Sequence, residues 1–111
     1  MLNKKYRATR TDIEKTIKNG FVVDSPLFYF KVSKENTEKI SFAIVVSKKV
    51  EKTSVGRHLI KRRISGVLEK KIDKIRPDFK KIIVIFAKKT EKIPKYSEIK
   101  NFFEEMMSKI V

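Results

Sequence analysis

Between Lys48 and Arg63 the chain places Lys48, Lys49, Lys52, Arg57, Lys61, Arg62 and Arg63 against a single acid, Glu51, a net +6 in 16 residues. With no acids interleaved at helical spacing, such a run is poorly suited to pairing with itself and well suited to a polyanion. Guanidinium forks and ammonium groups bind phosphate, and a helix N-terminus offers free N–H groups to the same ligand. His58 lies within the run, and no carboxylate stands at helical reach to orient it as a base, so a phosphate or base contact, or plain exposure, is expected of it. A second set is Tyr29 and Lys31, which alternate with Phe28 and Phe30. Period-two alternation puts one pair in the core and the other on an open face; a hydroxyl and an ammonium tolerate water and phosphate, but spacing alone does not decide between the pairs. Glu98, Glu104 and Glu105 read as a solvated helix face rather than a metal seat.

These groups need elements to hold them. Thr11 and Glu14 have the spacing of a capping box, with Ile13 and Ile17 one turn apart and Gly20 as a stop, which predicts a short first helix after a basic arm, residues 1–10. Phe21 to Val32 reads as an extended segment interrupted at Pro26, and Ile40 to Val46 as a strand that pairs with it antiparallel across the polar turn Ser33 to Glu38. Ser54 is the expected N-cap of a long helix running to about Ile75 and stopped by Pro77, with Ile60, Ile64, Val67, Leu68, Ile72 and Ile75 in one buried stripe. Leu59 falls far from that stripe, which implies an unusually exposed apolar residue, one covered by RNA, or one packed under the preceding loop. Ile82 to Phe86 is an apolar run typical of a strand covered on both faces, and Ile99, Phe102, Phe103, Met106, Met107 and Ile110 make a final helical stripe belonging to the core. The order is α-β-β-α-β-α, and the parsimonious arrangement is one mixed sheet with helices packed on it, an α+β single domain spanning 1–111.

The whole composition agrees with this. The 111 residues carry 28 Lys+Arg and 13 Asp+Glu, a formal net charge of +15, with 41% hydrophobic residues. That is too apolar for a disordered basic tail. With no cysteine and one histidine, disulfides, thiolate metal sites, cysteine nucleophiles and histidine cages are excluded. No run is long enough to span a membrane and Met1 to Arg10 lacks the apolar stretch of a signal peptide, so a cytoplasmic protein with no membrane partner is expected.

The element order and the basic window resemble the protein subunit of bacterial ribonuclease P over nearly the full length. That family has a Ser-Val-Ser-Lys-Lys-Val-like strand end followed by a basic helix of the form Val-x-Arg-Asn-Arg-x-Lys-Arg-x-x-Arg. Here Val45-Val46-Ser47-Lys48-Lys49-Val50 matches the strand end; Val55, Arg57, Lys61 and Arg62 match the helix, while His58, Leu59 and Ser65 stand where the family has Asn, Arg and Arg, and Arg63 is an added charge.

The resemblance implies an α-β-β-α-β-α sandwich of the ribosomal protein S5 domain 2-like kind with a left-handed crossover. It also implies a protein cofactor to an RNA enzyme that removes the 5′ leader of precursor tRNA. Hydrolysis would belong to the RNA and its Mg²⁺, with no catalytic residue, metal or cofactor on the protein itself. Lys48, Lys49, Lys52, Arg57, His58, Lys61, Arg62 and Arg63 would contact the catalytic RNA. Ile13, Ile17, Tyr29 and Lys31 would line the leader cleft, the two isoleucines standing where the family has phenylalanines. One protein per RNA is expected, with no DNA. A structural RNA-binding protein of ribosomal type is the alternative; a DNA-binding use of the long helix fits poorly, because its apolar stripe is needed for the core.

Overall fold

In the computed structural model, which describes residues 4–75 and 78–110, the first helix, α1 (Arg10–Asn19), starts ahead of Thr11. Thr9 is the N-cap: its Oγ1 accepts from the Asp12 N–H at 3.2 Å and the Asp12 carboxylate accepts from the Thr9 N–H at 3.4 Å. Asp12 thus does for Thr9 what Glu14 was expected to do for Thr11. The helix ends before Gly20, whose N–H donates to the Thr16 carbonyl at 2.8 Å. A Cβ on Gly20 would lie 2.5 Å from that carbonyl oxygen and 2.6 Å from that of Val32, so a close backbone approach requires the glycine. Of the expected N-terminal arm, Met1–Asn3 lie outside the described residues; Lys4–Tyr6 form a 3₁₀ turn and Arg7 bridges to Phe42.

Phe21 to Val32 is a hairpin rather than one interrupted strand. Strand β1 (Phe21–Asp24) pairs antiparallel with β2 (Phe28–Val32), and Pro26 sits in the turn, where the Ser25 N–H and Oγ–H both donate to the Phe28 carbonyl. The expected antiparallel pairing of β2 with β3 (Ser41–Val45) does not occur. Strand β4 (Ile82–Ala87) lies between them, giving the order β1-β2-β4-β3, with β2 antiparallel and β3 parallel to β4. The reason is burial: Ile82 to Ile85 are apolar on both faces and at most 4% exposed, and only a central position covers both. The polar 33–40 connection crosses the end of β4, with the Ser33 N–H on the Ile82 carbonyl and the Thr37 N–H on that of Lys80.

Helix α2 (Ser54–Lys71) makes the crossover from β3 to β4. Its N-cap is Thr53, one residue ahead of Ser54, and a 3₁₀ turn (Ile72–Lys74) extends it almost to Ile75; Arg76 and Pro77, the expected stop, lie outside the described residues. Ile60, Ile64, Val67, Leu68 and Ile72 are buried against Phe28, Phe30, Val32, Ile83 and Ile85 together with Ile99, Phe103, Met106 and Met107 of α3 (Tyr96–Ile110). Phe30 stacks on Phe28 at 5.5 Å and meets Phe103 edge-on at 5.7 Å. The core is therefore the face carrying Phe28 and Phe30, covered by α2 and α3, while α1 crosses the opposite face. Among the described residues no helix is long and apolar enough to cross a membrane.

Candidate nucleic-acid interface

With Phe28 and Phe30 in the core, Tyr29 and Lys31 stand on the face that α1 crosses. The register carries that face through Val22, Asp24, Ser41, Ala43, Val45, Ile82, Val84 and Phe86. Helix α1 covers only one end: Ser41, Ile82 and Val84 are buried, as is Thr16 above them. At the other end Tyr29, Phe86 and Val45 lie in one row, half-exposed. Helical spacing turns Ile13 and Ile17 to the flank of α1 away from Asp12, Lys15 and Asn19, toward that row. The Lys31 ammonium closes the angle between helix and sheet by donating to the Ile17 carbonyl at 2.9 Å. It thereby satisfies an orphan acceptor at the C-terminal end of α1.

Tyr29 and Lys31 thus share the face that α1 crosses, Ile13 and Ile17 belong to that helix with Ile17 exposed, and beside Tyr29 in the register stands Phe86. Its ring is stacked on that of Tyr29, with centroids 4.8 Å apart and planes 8° from parallel. The alternation within Ile82–Phe86 already groups Phe86 with Val84; what the sequence lacks is the pairing that sets it beside Tyr29. Lys88 follows on the same face and is ion-paired with Asp24, a contact that holds the Asp24 carboxyl below its ordinary value of 3.8.

The basic window separates into two groups. Lys48, Lys49, Lys52, His58, Lys61 and Arg62 are exposed. Arg57 is half-buried and its Nη1 donates to the Glu51 and Lys52 carbonyls at 3.0 and 2.8 Å, pinning the 47–53 loop to α2. Arg63 is half-buried too, its Nη1 on the Pro94 carbonyl at 2.7 Å, which ties the approach to α3 onto α2. The N-terminus of α2 is not the open anion site expected of it. Thr53 Oγ1 accepts from the Gly56 N–H at 3.0 Å, and the Glu51 carboxylate accepts from the Thr53 N–H and hydroxyl at 3.2 Å, placing a negative charge there already. Glu98 Oε1 accepts from the Lys95 N–H at the start of α3, and Glu104 pairs with Lys71 of α2.

Because β3 and β4 run parallel, Lys48 and Lys49 leave the sheet at the end where Val45, Phe86 and Tyr29 form the open row. The half-exposed Tyr29–Phe86 pair and the Lys48–Lys49 turn thus lie at the same end of the sheet. The sequence model of the family described as Ribonuclease P matches residues 2–111. The chain belongs to that family. This makes it a ribonuclease P protein component, with a role in an endoribonuclease, and implies partnership with ribonuclease P RNA and precursor tRNA. The ribonuclease P protein of Staphylococcus aureus superposes with a TM-score of 0.77 at 25% identity, over 93% of each chain. The Thermotoga maritima ribonuclease P protein shares the fold at a TM-score of 0.77 and 17% identity, over 95% of this chain and 97% of that one. No curated protein matches by sequence.

Proposed function

We propose that this ribonuclease P protein docks on the catalytic RNA through Lys48, Lys49, Lys52, His58, Lys61 and Arg62, and holds the 5′ leader of precursor tRNA in the cleft between α1 and the sheet. Arg57 and Arg63 serve this surface by fixing the loop and helix that carry it. The observation that supports the reading is the shared end of the sheet: the Tyr29–Phe86 pair and the Lys48–Lys49 turn lie at one end, an arrangement that would suit two RNA strands side by side. Aromatic faces accept successive bases without regard to sequence, and lysines screen the phosphates of both strands.

The chain's contribution to cleavage is positional, raising affinity for leader-bearing over mature tRNA. Among the described residues no three carboxylate or imidazole groups come together as a metal seat, and Glu98 and Glu104 are committed to a helix start and an ion pair. As the family resemblance implies, the hydrolysis and its Mg²⁺ are left to the RNA in this proposal. One protein per RNA in the cytoplasm completes the proposal. Adding the protein to bacterial ribonuclease P RNA with precursor tRNA at limiting Mg²⁺ tests it. Cleavage rises over RNA alone if it is right; no rise across a range of salt concentrations overturns it and leaves a purely structural RNA-binding role.

A further inference from the structure

Val55 on the first turn of α2 is 79% exposed, more than Ile17, Phe21 or Val22, the other large apolar residues at the surface. Leu59 stands one turn further on, half-buried and outside the core cluster. Residues four apart form rows along a helix, so Val55–Leu59 lies beside the row Ser54–His58–Arg62. These five residues line one shallow groove of about 450 Å³.

Resting on the RNA-docking reading above, we propose that this groove seats one unpaired base of the catalytic RNA. The occupant has to offer an apolar surface and negative charge together, because Val55 and Leu59 share the groove with His58 and Arg62. A nucleotide turned out of its stack does so: its base has an apolar face and its phosphates lie at either side. A base within a duplex does not, since A-form geometry hides it and leaves backbone and 2′-hydroxyls to meet the protein. Leu59 stands at a position where the family pattern carries Arg, so this chain exchanges one salt-dependent phosphate contact for a contact that salt leaves unchanged.

The test measures binding to ribonuclease P RNA, without tRNA, across a salt series, together with dimethyl sulfate reactivity of the unpaired bases. Val55→Ser alters only an exposed side chain, and its unchanged thermal unfolding verifies the fold. Binding weakens about tenfold at every salt concentration with the slope of log K against log salt unchanged, and one base protected by the parent chain becomes reactive. Leu59→Arg steepens the slope by about one. Lys61→Ala with Arg62→Ala tests the underlying docking reading separately: a slope that stays as steep as the parent's removes that reading whatever Val55 does. If this double variant flattens the slope while Val55→Ser binds within twofold of the parent, docking stands and the base seat is overturned. It is likewise overturned if Val55→Ser changes only self-association of the protein.

Discussion

Tyr29 and Phe86, from neighbouring antiparallel strands, lie ring on ring at 4.8 Å on the sheet face opposite the core. Both rings are half-exposed, while α1 offers isoleucines and no aromatic at residues 13 and 17, so the proposed leader contact puts base stacking on the sheet rather than on α1. Phe86→Ala is expected to weaken binding of leader-bearing precursor tRNA to the holoenzyme by about 1–3 kcal/mol per stacked base. Affinity for mature tRNA should stay the same, and an equal loss for both would place Phe86 outside the leader path.

Asp24 engages the Lys88 ammonium, which on the proposed reading would otherwise be open to leader phosphate. In Asp24→Asn the ammonium is released, so leader binding tightens and its salt dependence steepens; Lys88→Ala in the same chain cancels both effects. The ion pair is also a weak pH probe. The Asp24 pKa is lowered by Lys88, so the pair's contribution to stability is present above the ordinary 3.8 and is lost as pH falls through the lowered value. Urea unfolding of the parent and of Asp24→Asn should therefore converge in acid.

Arg57 and Arg63 each commit Nη1 to backbone carbonyls, and on the proposed reading they have a larger part in the fold than in phosphate contact. Arg63→Ala removes a charge-assisted bond to the Pro94 carbonyl and should cost about 1.5–3 kcal/mol of stability, while changing the salt slope of RNA binding less than Arg62→Ala does. The reverse ranking in paired denaturation and binding titrations would return Arg63 to the RNA surface.

The core claim is sharper in magnitude. Phe30 is fully buried and touches both Phe28 and Phe103; Phe30→Ala should cost about 3–5 kcal/mol in chemical denaturation, whereas Tyr29→Ala, one residue away on the open face, costs much less.

Most elements were legible because their periodicity is strong: the α2 and α3 stripes and the both-faces apolar run of β4 each name what is buried, while the Phe28–Lys31 alternation separates two faces without saying which one is core. Strand pairing was not. Proximity in sequence favours β2 with β3, yet the need to cover both faces of β4 put it between them from the far side of α2, and that insertion is what brings Phe86 to Tyr29. The basic window was legible as charge, but not as a division of labour. Arg57 and Arg63 find carbonyl partners that spacing does not reveal, and Glu51, a lone acid in a basic run, turns out to lie at the α2 N-terminus. Lys31 is similar: its contact with the Ile17 carbonyl is a tertiary one of a residue whose type suggested an open phosphate ligand.

Leader recognition is read most directly from the ratio of affinities for precursor and mature tRNA, measured by titrating each against ribonuclease P RNA with and without this protein at fixed salt and Mg²⁺. The protein should raise the ratio, the gain should disappear as the leader is shortened, and Phe86→Ala should reduce it. A protein that strengthens binding of both tRNAs equally, or of neither, contradicts leader recognition.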